Sequence, residues 1–160
     1  MRLENKQAIV TGGAGGIGRA TSLALAAEGA AVAVVDLNAE AAEGVAAEIR
    51  EAGGVAIAIA ADVASEADIE RVVSTVVDEF GGVNVVFNNA GIIRRTTAVE
   101  TTVEEWDRVF GVNVRSIFLM CKHVVPIMEA GGGGSIVNTG SGWGLKGGGQ
   151  AISYLSLIHI

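Results

Sequence analysis

A cluster of glycines near the N-terminus has the spacing of a phosphate-binding turn. Residues 11–18 read TGGAGGIG, in which Gly13, Gly15 and Gly18 fit the pattern G-x-G-x-x-G. Such a loop allows a tight turn, close approach of the backbone to a pyrophosphate, and a helix N-terminus directed at the anion. The pattern recurs within residues 142–147 without a strand-to-helix context. The first copy lies between a predicted strand and a predicted helix and therefore predicts a dinucleotide site. A glycine-rich turn without a ligand is the alternative.

An acidic residue follows at the distance expected of a ribose-binding group. Asp36 ends the second predicted strand, 18 positions after Gly18, and the expected separation is about 20 residues. A carboxylate there accepts hydrogen bonds from both ribose hydroxyls and repels a 2′-phosphate. The neighbouring Leu37 and Ala14 offer no positive charge, so the sequence favours NAD over NADP. A helix N-cap or an exposed strand end is the alternative interpretation of Asp36.

Alternating strands and helices must position these residues. Apolar runs predict five strands, and helical spacing with glycine stops predicts four long helical segments. The predicted strands are residues 7–11, 31–35, 55–60, 83–87 and 135–139, and the helical segments are 17–28, 39–52, 66–80 and 102–130. The last segment is expected to be two helices meeting near residues 111–113. This order predicts an α/β fold, a doubly wound parallel sheet of the Rossmann type.

Composition narrows the class of protein. The 160 residues are enough for one domain, and 18 acidic against 11 basic residues give a net charge of -7. That charge argues against nucleic acid as a partner. Cys121 has no second cysteine to pair with, and His123 and His159 are too far apart to suggest a metal site. The sequence predicts no signal peptide and no segment that approaches the about 20 apolar residues of a membrane span. We therefore expect a cytoplasmic protein that does not enter a membrane.

Four more motifs come in order behind the glycine loop: Asp62-Val63, NNAG at 88–91, Asn113, and Ser141 with Tyr154 thirteen positions later. Together with TGGAGGIG they resemble the short-chain dehydrogenase/reductase family. The resemblance covers residues 1–154, which would form the N-terminal part of the family's NAD-binding Rossmann domain. The family's glycine motif is TGxxxGxG, which Thr11, Gly12, Gly16 and Gly18 match here. The resemblance implies these cofactor-binding residues: Gly12, Gly16, Ile17, Gly18, Asp36, Asp62, Val63, Asn89, Ala90 and Gly91.

The resemblance also implies a chemistry. Family members transfer a hydride between nicotinamide and a carbon that bears a hydroxyl or carbonyl oxygen. Ser141 would hydrogen-bond that oxygen, Tyr154 would exchange its proton as general acid or base, and Asn113 would hold a water in the proton relay. The expected ligands are thus NAD and a small alcohol or carbonyl substrate, with no metal. The full-length form is expected to be a homo-oligomer.

The match to the family breaks after Tyr154. The family motif continues as Tyr-x-x-x-Lys, whereas this chain has Ile158. In the family that lysine binds the nicotinamide ribose and favours the ionised tyrosine. Its loss is therefore expected to lower the fraction of tyrosine that can act as a base by a factor on the order of 10²–10³. Residues 155–160 (LSLIHI) resemble the translation of a transposon adapter used to prepare sequencing libraries. A genuine divergent apolar tail is the alternative. We therefore predict a non-native tail and a C-terminally truncated, inactive fragment that holds strands one to five of an incomplete sheet.

The predicted truncation has a consequence for the edge of the sheet. The fifth strand would be an exposed edge, which predicts poor solubility. Arg94 and Arg95 could favour an anionic or sugar-acid substrate, and Trp143 could stack on a ring, although surface and packing roles are the simpler interpretations.

A nucleotide-binding module without catalysis is compatible with the missing lysine. A methyltransferase also uses a glycine loop followed by an acid, but the NNAG motif and the Ser141–Tyr154 spacing argue against it.

Overall fold

The structure is a computed structural model that describes residues 1–145 and 149–158. Strands and helices alternate along the chain as predicted. The strands are β1 (Gln7–Thr11), β2 (Ala31–Asp36), β3 (Val55–Ala60), β4 (Val85–Asn88) and β5 (Ser135–Asn138). The helices are α1 (Gly16–Ala27), α2 (Ala39–Glu51), α3 (Glu66–Phe80), α4 (Val103–Phe110), α5 (Ser116–Ala130) and α6 (Ile152–Ile158).

The five strands form one parallel sheet in the order β3-β2-β1-β4-β5. The order reverses between β1 and β4, because the chain first builds outward through β2 and β3 and then returns to the other side of β1. A crevice opens at such a switch point, beyond the carboxyl ends of the strands, and ligands of doubly wound sheets bind there. The prediction of a Rossmann-type sheet is confirmed.

Local sequence explains where the helices begin and end. The side chains of Asn38, Ser65 and Thr102 accept hydrogen bonds from the first turns of α2, α3 and α4 and so cap them. Gly81 ends α3 in the left-handed conformation, with φ +84°, which glycine adopts without strain.

Helices cover both faces of the sheet, so β1 and β2 are buried on both sides. One core layer includes Ile9, Val86 and Met120, and the opposite layer includes Val10 and Ile49. All five of these side chains are at most 2% exposed. This double burial explains the uninterrupted apolar runs of the central strands.

The stretch from Val103 to Ala130 is helical throughout, and it contains the two predicted helices, α4 and α5, which meet near the predicted residues 111–113. A π-helical turn, Gly111–Arg115, joins α4 to α5, and Gly111 keeps right-handed helical dihedrals (φ -57°, ψ -49°). Among the described residues this segment is also long and apolar enough, by length and composition alone, to cross a membrane. Its inner face supplies Leu119 and Met120 to the core, as in core helices of globular proteins.

Candidate active site

The glycine loop joins β1 to α1, and the local geometry requires glycine at four of its positions. One is Gly13, where a Cβ atom would lie 2.8 Å from the carbonyl oxygen of Val10. Gly12 and Gly16 have left-handed φ angles of +60° and +48°. A Cβ atom on Gly18 would lie 2.0 Å from the carbonyl oxygen of Gly12 and 2.7 Å from Nδ2 of Asn89. Gly12, Gly16 and Gly18 are the three glycine positions of TGxxxGxG. Gly15 is extended and uncrowded, so the family spacing describes this loop better than the literal G-x-G-x-x-G.

The outer side of the loop has room for an anion. A Cβ atom on Gly15 or Gly16 would meet no atom within 4 Å. Helix α1 begins at Gly16, and no side chain caps its N-terminus. The unpaired N–H groups and the positive end of the helix dipole therefore lie beside open space. Ile17 is largely exposed there. These features fit a bound pyrophosphate.

Asp36 stands next to the glycine loop at the end of β2. One carboxylate oxygen accepts a hydrogen bond from the backbone N–H of Ala14 (3.2 Å), and the other accepts one from the N–H of Asn38 (3.1 Å). The N-cap of α2 is Asn38, so the N-cap interpretation of Asp36 is wrong. The carboxylate is held in place by the backbone, and each oxygen retains a lone pair for a further donor.

Asp62 and Val63 follow β3 and differ in their surroundings. Asp62 accepts hydrogen bonds from Arg108 (2.7 Å) and from the backbone N–H of Ala64 (2.9 Å). Burial opposes ionisation of Asp62, but these donors outweigh it and hold its pKa below the ordinary value. Val63 is 7% exposed and belongs to the core. A cofactor would therefore meet Val63 through its main chain.

The NNAG segment is tied to the glycine loop through Thr11. The buried Oγ1 of Thr11 accepts hydrogen bonds from the N–H groups of Asn89 (3.0 Å) and Ala90 (3.1 Å). In return Nδ2 of Asn89 donates to the carbonyls of Thr11 (3.1 Å) and Gly12 (3.3 Å). Gly91 follows at the rim of the cavity described below. This network joins β1 to β4 at the switch point and fixes the crevice.

Asn113 lies in the π-helical turn, and its side chain reaches the loop after β4. Its Oδ1 accepts from the N–H of Ile92, and its Nδ2 donates to the carbonyl of the same residue, each at 2.8 Å. The side-chain amide therefore clamps the loop that follows NNAG. A water held by Asn113 would have to use its main chain or the remaining lone pair of its amide oxygen.

Ser141 and Tyr154 meet at the same crevice. Ser141 precedes a single 3₁₀ turn, Gly142–Gly144, and its Oγ accepts from the N–H of Trp143 (3.2 Å). Tyr154 lies on α6. Both residues line a cavity of about 230 Å³ that also touches Asn113. They also line a larger one of about 680 Å³ that extends to Gly16 in the glycine loop.

The structure therefore brings the predicted catalytic residues and the glycine loop to one crevice. Asp62 does not line that crevice, because it follows β3, the edge strand that is separated from β1 by β2. Sequence reasoning missed Arg108, which carries no local signal because its partner Asp62 lies 46 positions earlier. It also missed the central role of Thr11, which the sequence marks only as a motif position.

Two residues that the sequence analysis considered lie outside the described residues. Gly147, in the second glycine pattern, and His159 are not described. The described part of that second pattern forms the 3₁₀ turn after Ser141, with no strand-to-helix transition. Within residues 1–145 and 149–158 no group of three histidine, cysteine, aspartate or glutamate side chains is placed to hold a metal ion.

Comparison with known proteins gives one family. A family model described as short chain dehydrogenase matches residues 6–156. The chain is 45% identical over 148 residues to sorbitol dehydrogenase of Cereibacter sphaeroides, which covers 92% of this chain and 57% of that protein. It is 40% identical over 159 residues to cyclohexanol dehydrogenase of Acinetobacter sp. (strain SE19), covering 99% and 63%.

A solved structure agrees with the sequence relatives. NAD⁺-bound xylitol dehydrogenase superposes with a TM-score of 0.92 at 36% identity, covering 99% of this chain and 61% of that one. The chain thus spans about three fifths of the length of these relatives. The family match also removes the methyltransferase interpretation. On its fold, its motifs and these matches, the chain belongs to the short-chain dehydrogenase family.

Proposed function

We propose that this chain is the dinucleotide-binding and catalytic-residue part of an NAD-dependent oxidoreductase that interconverts a small secondary alcohol and its carbonyl. The observation that carries this proposal is the shared crevice: Ser141 and Tyr154 line a cavity that extends to Gly16. A cofactor whose pyrophosphate lay at the glycine loop would have its other end within this cavity. The names of the relatives, which include sorbitol, cyclohexanol and xylitol dehydrogenases, support a small alcohol as substrate.

The choice of NAD rests on the surroundings of Asp36. Its carboxylate is fixed by two backbone N–H groups beside the glycine loop and would repel a 2′-phosphate. Leu37, the next residue, is exposed and apolar, so it offers no compensating charge. The NAD⁺ in the xylitol dehydrogenase structure supports the same choice.

The side chains at the reactive end have complementary roles. A bound nicotinamide would supply the hydride chemistry at the carbon that bears the reacting oxygen. Ser141 donates a hydrogen bond to the substrate oxygen, and Tyr154 takes up the hydroxyl proton in oxidation or supplies it in reduction. Asn113 supports this arrangement by holding the loop at Ile92.

A second candidate function is binding without catalysis, and the residue four positions after Tyr154 favours it. That residue is Ile158, so no lysine charge is available at this position to favour the ionised phenol. We propose that turnover by the 160-residue chain is accordingly low. An Ile158→Lys substitution is expected to raise it by on the order of 10² if the rest of the site is competent.

Cofactor binding and turnover can be measured separately. Titration with NADH and NADPH, followed by nicotinamide fluorescence, is expected to show NADH binding at least about tenfold tighter, and Asp36→Ala should reduce that preference. Reduction of NAD⁺ by sorbitol, xylitol and cyclohexanol then tests catalysis, with Tyr154→Phe as the variant that should bind NADH and lose turnover. Absence of NADH binding would refute the proposed function. Binding without turnover, in this chain and in Ile158→Lys alike, would favour the non-catalytic module.

A further inference from the structure

Three side chains from separate parts of the chain form a continuous contact at the mouth of the larger cavity. The guanidinium carbon of Arg95 lies 5.7 Å from the centroid of the Trp143 ring, over its face. Trp143 in turn packs edge-to-face on Tyr154, with the centroids 5.9 Å apart and an interplanar angle of 81°. All three residues line the same cavity as Ser141.

Arg95 gives this cavity its charge. It is the one charged residue among the described residues that line the cavity. None of the ion pairs formed within residues 1–145 and 149–158 includes Arg95. In a chain with a net charge of -7, acidic partners are plentiful, yet this guanidinium lies on an aromatic face.

The contact with Trp143 fixes the position of the Arg95 guanidinium. A cation over an indole face is attracted to it by the ring quadrupole, and the contact restricts the flexible arginine side chain. The guanidinium has five N–H donors, none of which an indole face satisfies fully. Its planar fork matches a carboxylate, which it can bind through two parallel hydrogen bonds.

We infer that Arg95, positioned by Trp143, binds a carboxylate group on the substrate, so that the preferred substrates are hydroxy acids or oxo acids of the sugar-acid type. The inference rests on the proposed function, because it takes Tyr154 as the group that meets the reacting oxygen. The carboxylate end of a linear sugar acid at Arg95 places its hydroxyl-bearing carbons along Trp143 towards Tyr154. A neutral polyol lacks the group that would pair with the guanidinium.

The cofactor offers the competing anion, since the same cavity reaches Gly16 at the glycine loop. The position of Arg95 favours the substrate, because its aromatic partner contacts Tyr154 at the reactive end. The two assignments differ in a measurable way. An arginine that binds the pyrophosphate affects the binary complex with NADH, whereas one that binds the substrate affects only the ternary complex.

The test compares two ligands that differ by one functional group. The chain is saturated with NAD⁺ and titrated by calorimetry with gluconate and with sorbitol, which has a hydroxymethyl group in place of the carboxylate. The variants are Arg95→Gln and Arg94→Gln. Arg94 is the matched control, since it is the adjacent arginine and does not line the cavity. NADH binding is measured for every variant.

Gluconate is expected to bind at least about tenfold more tightly than sorbitol, from one charge-assisted pair. Arg95→Gln should remove that preference and leave NADH binding unchanged, and Arg94→Gln should change neither. Equal binding of the two ligands, binding of neither, or a preference that survives Arg95→Gln would overturn the inference while NADH binding still supports the proposed function. Loss of NADH affinity in Arg95→Gln would assign the arginine to the cofactor and overturn it as well. Failure of the unmodified chain to bind NADH would refute the proposed function itself.

Discussion

Replacement of Gly18 by alanine tests whether close backbone packing at the switch point makes glycine necessary for the stability of this fold. The added Cβ atom would lie 2.0 Å from the carbonyl oxygen of Gly12 and 2.7 Å from Nδ2 of Asn89. The first neighbour is backbone, and the second is held by the carbonyls of Thr11 and Gly12. Neither can move without breaking the network that joins β1 to β4.

The expected magnitude follows from two opposing terms. Overpacking typically costs about 1–3 kcal/mol, and a contact of 2.0 Å with backbone belongs at the upper end. Alanine gains about 1 kcal/mol over glycine within a helix. The net loss for Gly18→Ala is then about 2 kcal/mol, a fall in Tm of roughly 4–8 °C for a chain of this size.

The matched control is the same substitution at Gly44, in the middle of α2, where a Cβ atom would meet nothing within 4 Å. Gly44→Ala should raise the unfolding free energy by about 0.5–1 kcal/mol. Thermal and urea unfolding, followed by circular dichroism without cofactor, measures both. The reasoning is refuted if Gly18→Ala is as stable as the unmodified chain or more so.

Three further predictions concern other parts of the molecule. Asn113→Ala removes both partners of the Ile92 backbone and should lower the unfolding free energy by about 2 kcal/mol in urea denaturation. Arg108→Gln should destabilise the chain by about 1 kcal/mol or less near pH 7, because the depressed pKa of Asp62 stabilises the folded state only where that carboxyl is ionised. The difference should shrink as the pH falls below the ordinary value of 3.8 and vanish once the carboxyl is protonated. Phe118→Glu, on the outer face of α5 where the ring is 62% exposed, should shift any self-association towards monomer in size-exclusion chromatography with light scattering.

Two of these predictions have a control within the chain, and the third has an outcome that would contradict it. Arg115→Gln loses a hydrogen bond to the carbonyl of Ala64 without touching a carboxylate, so its effect should not vary with pH. A loss in Arg108→Gln that is the same at all pH values would contradict the ion-pair explanation. Val99 is 95% exposed and belongs to the turn that precedes α4, not to α5, so Val99→Glu should leave the association state unchanged. An unchanged urea midpoint in Asn113→Ala would show that the clamp on Ile92 contributes nothing.

The order of elements could be predicted from the sequence because strands that are buried on both faces consist of continuous apolar residues. The runs AIV in β1 and VAVV in β2 are continuous. Glycines with positive φ, Gly29 and Gly53, follow the ends of α1 and α2. Boundaries were less certain, since β4 begins at Val85 and the prediction began it at residue 83. The π-helical turn was not predictable, because Asn113 reaches a partner 21 positions earlier.

What the sequence by itself determined is the fold class, the family, and the candidate cofactor-binding and catalytic residues, since these depend on local periodicity and on motifs of fixed spacing. Only the tertiary structure decided how those residues are used. It showed that Thr11 joins the glycine loop to NNAG, that Arg108 pairs with Asp62, and that Arg95 reaches Tyr154 through Trp143. The physical reason is separation along the chain: these partners lie tens of residues apart, and only the packing of the parallel sheet and its helices brings them into contact.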